Sequence, residues 1–345
     1  MCDMSEIDVS VLTPVLNEEA HIRATVASMV RQEFDGSIEF IFIDGASEDR
    51  TRAILEELAV EDPRIRVLDN PDRTTAFGLN VGLAAARGRF VARMDGHTAY
   101  PPRYLADGVE RLARGDVVWV AGPQLPRGEG VWSERVAMAL ETGLASIGSK
   151  RWGDGSSDGE VELDTGVFTG VWPRWVLEQH GGWDSGFPIN QDSELAARVL
   201  AAGGRIVQLP AMGAEYVPRN SLRALSRQYF RYGLYRGKTS RHHPASMRRS
   251  MLMAPGLVLA LAGSVVAPTR PLRGLARAAA GSYLLAVGAV SVRVALDDPS
   301  RAKDAATLPL VFLVMHGTWG AGFLLSSFRD GPPVGALMRA AGLRR

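Results

Sequence analysis

Arg89-Phe90-Val91-Ala92-Arg93-Met94-Asp95-Gly96-His97 is a short run of strand-forming residues that stops at an acid, a glycine and a histidine. In an open α/β sheet, ligands bind in the crevice beyond the carboxyl ends of the strands. An extended Asp-Gly-His puts Asp95 and His97 on one side, because strand side chains alternate with period two. A carboxylate and an imidazole so placed can share one divalent metal. Taken alone, the stretch also reads as a polar turn after a buried strand. Acids of the same kind earlier and later in the chain favour the functional reading.

Working outward, strand and helix signals alternate through the first 120 residues or so. Asp8–Leu12 reads as a strand that Thr13-Pro14-Val15-Leu16 carries into a turn. Asn17 then reads as a helix N-cap, with Glu18 and Glu19 in the first turn where the dipole favours acids. Ile38–Ile43 is a continuous apolar run, the pattern of a parallel strand covered on both faces. It ends at Asp44-Gly45-Ala46-Ser47-Glu48-Asp49-Arg50-Thr51. A third strand covers Ile65–Leu68, a helix Thr75–Arg87 stopped by Gly88, a fourth strand ends at Met94, and a fifth spans Val117–Ala121. This order predicts an α/β fold with a doubly wound, mostly parallel sheet. The first strand lacks the glycine-rich turn of a dinucleotide site, and no Gly-x4-Gly-Lys-Ser/Thr loop is present, since Tyr232 stands five residues before the one Gly-Lys-Thr, at 237–239. Both absences disfavour nicotinamide dehydrogenases and P-loop hydrolases.

At 345 residues the chain has room for one large domain and more, and its net charge of +1 gives no global basic field for nucleic acid. The lone cysteine, Cys2, excludes an intramolecular disulfide and a cysteine-based zinc site and fits a reducing compartment. The acidic opening Met1–Glu6 predicts no signal peptide. Near residue 250 the composition changes to three apolar stretches, Met251–Ala267, Ala278–Val292 and Thr307–Phe328. The third is long enough for a bilayer, which needs about 20 apolar residues. A membrane-associated tail is therefore expected, as three spans or as an interfacial pair followed by one span. The arginines between the stretches give no clean inside–outside asymmetry.

Several short motifs then fall in a telling order: Pro14-Val15-Leu16-Asn17-Glu18, Asp44-Gly45-Ala46-Ser47 with Asp49 and Thr51, Asn80-x-Gly82 with Ala86-x-Gly88, and Asp95-x-His97. They continue with Gly181-Gly182-Trp183-Asp184, Gln191-Asp192 and Gln228-x-x-Arg231-Tyr232. Together they cover about residues 8–236. In this order they resemble a family 2 glycosyltransferase of the GT-A fold, and most of all its exopolysaccharide branch of succinoglycan-type glucosyltransferases. Two departures stand out: the family's usual Asp-x-Asp is Asp-x-His here, and Tyr232 stands where Trp is commoner.

The resemblance implies a GT-A domain over 1–236, a basic juxtamembrane linker over 237–250, membrane-associated helices over 251–328 and a basic tail over 329–345. It assigns Pro14, Val15, Asn17, Glu18, Asp44, Arg73, Asn80 and Asp95 to the nucleotide-sugar. Asp44 would accept from the base or ribose of a uridine nucleotide; its other reading is a helix cap, a task that suits Ser47 or Asp49 better. Arg73 reads as a phosphate contact or a solvated arginine. Asp95 is the implied metal aspartate for a divalent cation, Mn²⁺ or Mg²⁺, because a departing diphosphate calls for fixed positive charge. His97 either adds a nitrogen, which suits Mn²⁺ better, or is a turn residue. Asp192 is the candidate general base, with helix capping as its other reading and Glu194 as its rival. Thr165, Gly166, Trp183, Gln228, Arg231 and Tyr232 fall on the acceptor or phosphate side, although the last three also fit a basic helix on a membrane surface.

The expected enzyme is an inverting, membrane-associated hexosyltransferase with a cytoplasmic catalytic domain. It would use a UDP-sugar such as UDP-glucose and a lipid-linked saccharide acceptor in cell-surface polysaccharide synthesis. A polyprenyl-phosphate sugar synthase, a non-catalytic nucleotide-binding scaffold and a nucleotidyltransferase are the alternatives. Three apolar stretches leave little for the channel of a processive polymer synthase.

Overall fold

The computed structural model describes residues 7–96, 98–145, 152, 159–166 and 169–343. The chain divides into two compact units, residues 1–125 with 153–216, and residues 126–152 with 217–345.

In the first unit, β1 (Val9–Val15), α1 (Ile22–Met29), β2 (Ile38–Asp44), α2 (Thr51–Glu61), β3 (Ile65–Asp69), α3 (Thr75–Ala85), β4 (Phe90–Arg93), α4 (Tyr104–Leu112) and β5 (Trp119–Ala121) follow one another. After β6 (Gln124–Pro126) the chain forms α5 (Val131–Leu140), which belongs to the second unit. It returns as β7 (Val161–Leu163), β8 (Gly170–Pro173), α6 (Arg174–Gln179), α7 (Gln191–Ala201), β9 (Ile206–Gln208) and β10 (Ala214–Tyr216). The main sheet has the order β3-β2-β1-β4-β8-β5-β9-β7, and β10 pairs with β6. Strands β3, β2, β1 and β4 are parallel. β8 runs antiparallel to both β4 and β5, and β7 is antiparallel to β9.

Period two sorts the strand residues into two cores. Val9, Val11, Phe40 and Phe42 face Ile22, Val26 and Met29 of α1 in one cluster. Leu12, Ile41 and Ile43 face the other way, in a cluster with Leu79 of α3, Trp119, Trp172 and Leu195. All seven residues of β2 are buried, as expected of a strand covered on both faces. One of them is Glu39, whose carboxylate accepts from the Ser10 hydroxyl (2.7 Å) and pairs with Arg66 (2.6 Å) and Arg87 (2.8 Å).

Two expectations change here. β1 runs on through Pro14 to Val15 and does not turn after Leu12. Its pairing with β4 stops at Leu12 while its pairing with β2 continues to Val15, so one side of Pro14 needs no donor. Helix α3 ends at Ala85 and Ala86 is already extended, so Gly88 is not the residue that stops it. A Cβ on Gly88 would lie 2.5 Å from the Ser10 nitrogen; the glycine is there for a close backbone approach.

The second unit is helical: α5, α8 (Leu222–His242), α9 (Met253–Val266), α10 (Arg270–Asp297), α11 (Ala302–Ala305), α12 (Leu308–Arg329) and α13 (Val334–Ala340). The segments Arg249–Val266, Arg270–Asp297 and Leu308–Arg329 are long and apolar enough to cross a membrane. α10 takes in Arg270, Arg273, Arg277 and Arg293, so it is much longer than its apolar stretch. α8 passes unbroken through residue 236, where the linker was expected to begin.

Candidate active site

The chain builds β2 and β3 on one side of β1 and then crosses to place β4 on the other. The crevice of an open α/β sheet opens where the strand order reverses in this way. The carboxyl ends of β2, β1 and β4 carry Asp44, Val15 and, two residues on, Asp95. With strands about 4.8 Å apart, β2 and β4 lie about 10 Å from each other across β1. A Cβ on Gly96 would already touch the Val15 side chain at 3.0 Å, so the turn after Asp95 is folded against the end of β1. Thr25 holds that turn by donating to the Gly96 carbonyl (2.8 Å).

The β1 and β2 rims are stitched together by side chains. Asp44 is buried and accepts from the Ser47 hydroxyl (2.6 Å) and backbone nitrogen. Asn17 adopts positive φ (56°); its backbone nitrogen donates to the Ser47 hydroxyl (3.0 Å) and its side-chain Oδ1 accepts from the Glu48 nitrogen (2.8 Å). The Glu18 nitrogen donates to Thr51 (2.8 Å) and the Glu19 nitrogen to Asp49 (3.1 Å). Asn17 is therefore not a helix N-cap: α1 starts at Ile22, with His21 before it and no side-chain cap. Left-handed backbone suits asparagine, and its amide joins two loops in place of capping one helix. Arg73, also at positive φ, pairs with Glu48 (3.0 Å) at the surface.

The centre of the site is a residue the sequence reading passed over. Arg93, the last residue of β4, is 4% exposed. It holds Asp95 in a two-pronged pair, Nε to Oδ1 at 2.8 Å and Nη2 to Oδ2 at 3.1 Å. Burial works against its charge, but the Asp95 carboxylate and then that of Asp192 outweigh burial and raise its pKa. Asp95 and Asp192 thus act on the same buried guanidinium. Among the described residues, Arg93 Nη1 is buried with no hydrogen-bond partner. The Asp95 nitrogen donates to the Tyr100 hydroxyl (2.6 Å), and burial with the nearby Asp95 charge pushes that phenol well above its ordinary range. Period two puts Arg93 and Asp95 on one side of an extended chain, which is the signal that could have found the pair.

Asp192 lies in the first turn of α7, one residue inside the helix; the cap position is Asn190 at φ 64°. It is therefore not the cap. Gly166 packs under it, since a Cβ there would lie 2.5 Å from the Asp192 carbonyl oxygen. The rival acid is engaged elsewhere: Glu194 is buried and paired with Arg198 (2.6 Å), which also donates to the carbonyl of Gly182 (2.9 Å).

A sequence profile described as Glycosyl transferase family 2 matches residues 10–166. The Succinoglycan biosynthesis protein ExoA of Rhizobium meliloti (strain 1021) is 31% identical over 325 residues, 91% of this chain and 93% of that protein. The chain belongs to glycosyl transferase family 2. The Succinoglycan biosynthesis protein ExoO of the same organism is 27% identical over 61% of this chain and 60% of its own. Among solved structures, the mannosyltransferase PcManGT from Pyrobaculum calidifontis, in complex with GDP-Man and Mn²⁺, superposes with a TM-score of 0.61 at 19% identity. It covers 95% of this chain and 88% of its own. S. aureus TarS 1–349, in complex with UDP-GlcNAc, gives 0.51 at 14% identity, over 94% and 93%. The likeness is one of fold, and the fold is the expected GT-A type.

The remaining positions singled out in the family 2 sequence fall as follows. Both polar atoms of the Asn80 amide bind the Trp183 backbone, Nδ2 to its carbonyl at 2.6 Å and Oδ1 to its nitrogen at 2.9 Å. Trp183 itself is buried against Trp172 in the core. Asn80 therefore clasps the backbone at Trp183, whose own side chain is buried. Thr165 is half-buried beside Gly166. Gln228, Arg231 and Tyr232 lie on α8 in the second unit, where Gln228 donates to the Tyr232 hydroxyl (2.9 Å) and Arg231 is exposed. His97 lies outside the described residues.

Among the described residues no cluster of three or more acids, histidines or cysteines surrounds a metal position. That fits a cation held by one carboxylate together with the phosphates of a nucleotide. Arg93 occupies one acceptor site on each Asp95 oxygen, and a carboxylate offers about four.

Proposed function

We propose that this family 2 glycosyltransferase inverts the anomeric carbon as it moves a hexose from a UDP-sugar to a lipid-linked saccharide in surface polysaccharide synthesis. The observation that carries the reading is the placement of Asp95 and Asp192 around one buried arginine at the sheet's reversal point. The relative ExoA, a succinoglycan biosynthesis protein, supports the polysaccharide setting. The three apolar helices support an acceptor carried in a membrane; the catalytic unit would lie on the cytoplasmic side.

In this reading the rim of Pro14, Val15, Asn17, Glu18 and Asp44 receives the nucleotide, with Arg73 at its edge. Asp95 and His97 would hold a divalent cation, which would supply positive charge to the diphosphate. Asp192 takes the proton of the acceptor hydroxyl as that oxygen attacks from the face opposite the leaving group. One base suffices for this inversion, whereas a double displacement needs a second carboxylate as nucleophile. The ion pair of Glu194 with Arg198 supports a single base. Thr165 and Gly166 flank the acceptor, Asn80 and Trp183 act as positioning residues, and Gln228, Arg231 and Tyr232 are assigned to the phosphate side.

Loss of a general base typically costs 10²–10⁴-fold. D192N should bind nucleotide-sugar normally in a calorimeter while transfer falls by about that factor, and E194Q should lower stability more than turnover. Full transfer by D192N would move the base elsewhere. Chelator and D95A should each abolish both transfer and slow donor hydrolysis, with Mn²⁺ restoring only the former case; turnover persisting in chelator would remove the metal from the scheme. The donor screen should include GDP-sugars, because the solved mannosyltransferase was crystallised with one.

A further inference from the structure

The three apolar helices do not present equivalent surfaces. α12 buries nine of its 22 residues, against three of 14 in α9 and four of 28 in α10. α10 buries only a narrow stripe, Ala280, Tyr283, Val287 and Ser291, over 28 residues. Leu275, Leu285 and Leu296 on its other faces are 70%, 77% and 75% exposed, and on α9 Val265 and Val266 are 73% and 74% exposed. Apolar surface on this scale marks a membrane or protein contact.

α12 is occupied differently. Its carboxyl-terminal half lies directly on α8, backbone against backbone. A Cβ on Gly322 would fall 2.1 Å from the Phe230 carbonyl oxygen, and one on Gly233 1.9 Å from the Trp319 carbonyl oxygen. Gly237 faces the Ser326 side chain at 2.6 Å. Small residues thus recur four apart on both helices, Gly233 with Gly237 and Gly322 with Ser326, the pattern that lets two helix backbones meet. Arg241 then fastens the end of the contact by donating to the carbonyls of Ser326 (3.2 Å) and Gly331 (3.0 Å) and pairing with Asp330 (3.2 Å). On another face, a Cβ on Gly320 would meet the Ala254 carbonyl oxygen of α9 at 2.3 Å.

We infer that α12 is the internal platform of the second unit, built to hold α8, and that lipid contact is made chiefly by α9 and α10. The occupant of the exposed α9 and α10 faces is the acyl region of a bilayer. Arg270, Arg273 and Arg277 at one end of α10 and Arg293 near the other bracket an apolar length of about 22 Å at 1.5 Å per residue. Arginine stems reach outward from such a band to headgroups. α8, which carries Gln228, Arg231 and Tyr232, is thereby fixed to the helix with the least lipid-facing surface. The inference goes beyond the transfer reaction and does not depend on any substrate.

The test uses the full chain in its native membrane and reads melting and membrane retention. G322V should stay in the membrane pellet after an alkaline wash but melt several degrees below wild type in detergent. L284N/L285N, at two exposed positions inside that band, should melt close to wild type while more than half of it leaves the pellet in the same wash. A G322V protein that melts like wild type would overturn the platform, and one that leaves the pellet while L284N/L285N stays would make α12 the anchor. Because neither readout uses a sugar nucleotide, failure of the transfer reading would leave both outcomes interpretable.

Discussion

Arg93 shows how a single residue organises the site. The buried guanidinium is stabilised in its charged form first by Asp95 and then by Asp192, and it fixes the orientation of Asp95 through two hydrogen bonds. Removing one partner of a buried pair typically costs about 3–5 kcal/mol, because the other charge is left uncompensated. R93M should therefore melt far below wild type, and adding D95N should recover part of the loss, since the two sites are coupled. Equal and additive losses in the double-mutant cycle would show that the pair is incidental. The acids at 44, 95 and 192 were legible in the sequence because each sits at the end of an element or next to one. The arginine was not, because a basic residue near the end of a strand reads as edge polarity. Asn80 and Trp183 were legible as important positions but not in their task, since an amide that clasps a backbone looks the same in sequence as one that binds a ligand.

Among the elements, β2 and its neighbours carry a pH dependence that the sequence does not announce. Burial would raise the Glu39 pKa, but the Ser10 hydroxyl, the Arg87 backbone and side chain and Arg66 together hold it below its ordinary value. A carboxylate lowered on folding adds stability above its unfolded pKa, near about 4.3, and loses it as pH falls through the folded value. The melting temperature should therefore fall as the solution is acidified below about pH 4.3. E39Q should melt lower at pH 7 and vary less over that acidic interval. An E39Q curve parallel to wild type would assign the acid sensitivity to other groups. β2 was readable because an unbroken apolar run marks a strand covered on both faces. The three-residue strands β5 to β7, β9 and β10 are too short to show a period, and only β5 lay within an expected strand. Asn17 was misread because a left-handed asparagine joining two loops has the same sequence signature as a cap.

At the scale of the whole molecule, the family was legible because several weak motifs kept a fixed order, and the break near residue 250 was legible from composition alone. The return of residues 126–152 to the second unit was not, because contacts between segments far apart in sequence leave no local pattern. What the two acids do together can be read from the product. If Asp192 is a lone base facing a diphosphate held at Asp95, a donor with an α-linked hexose must give a β-linked product. The coupling constant of the new anomeric proton in the NMR spectrum of the first transferred sugar measures this directly. A β linkage is the predicted result; an α linkage would mean retention and would contradict the account.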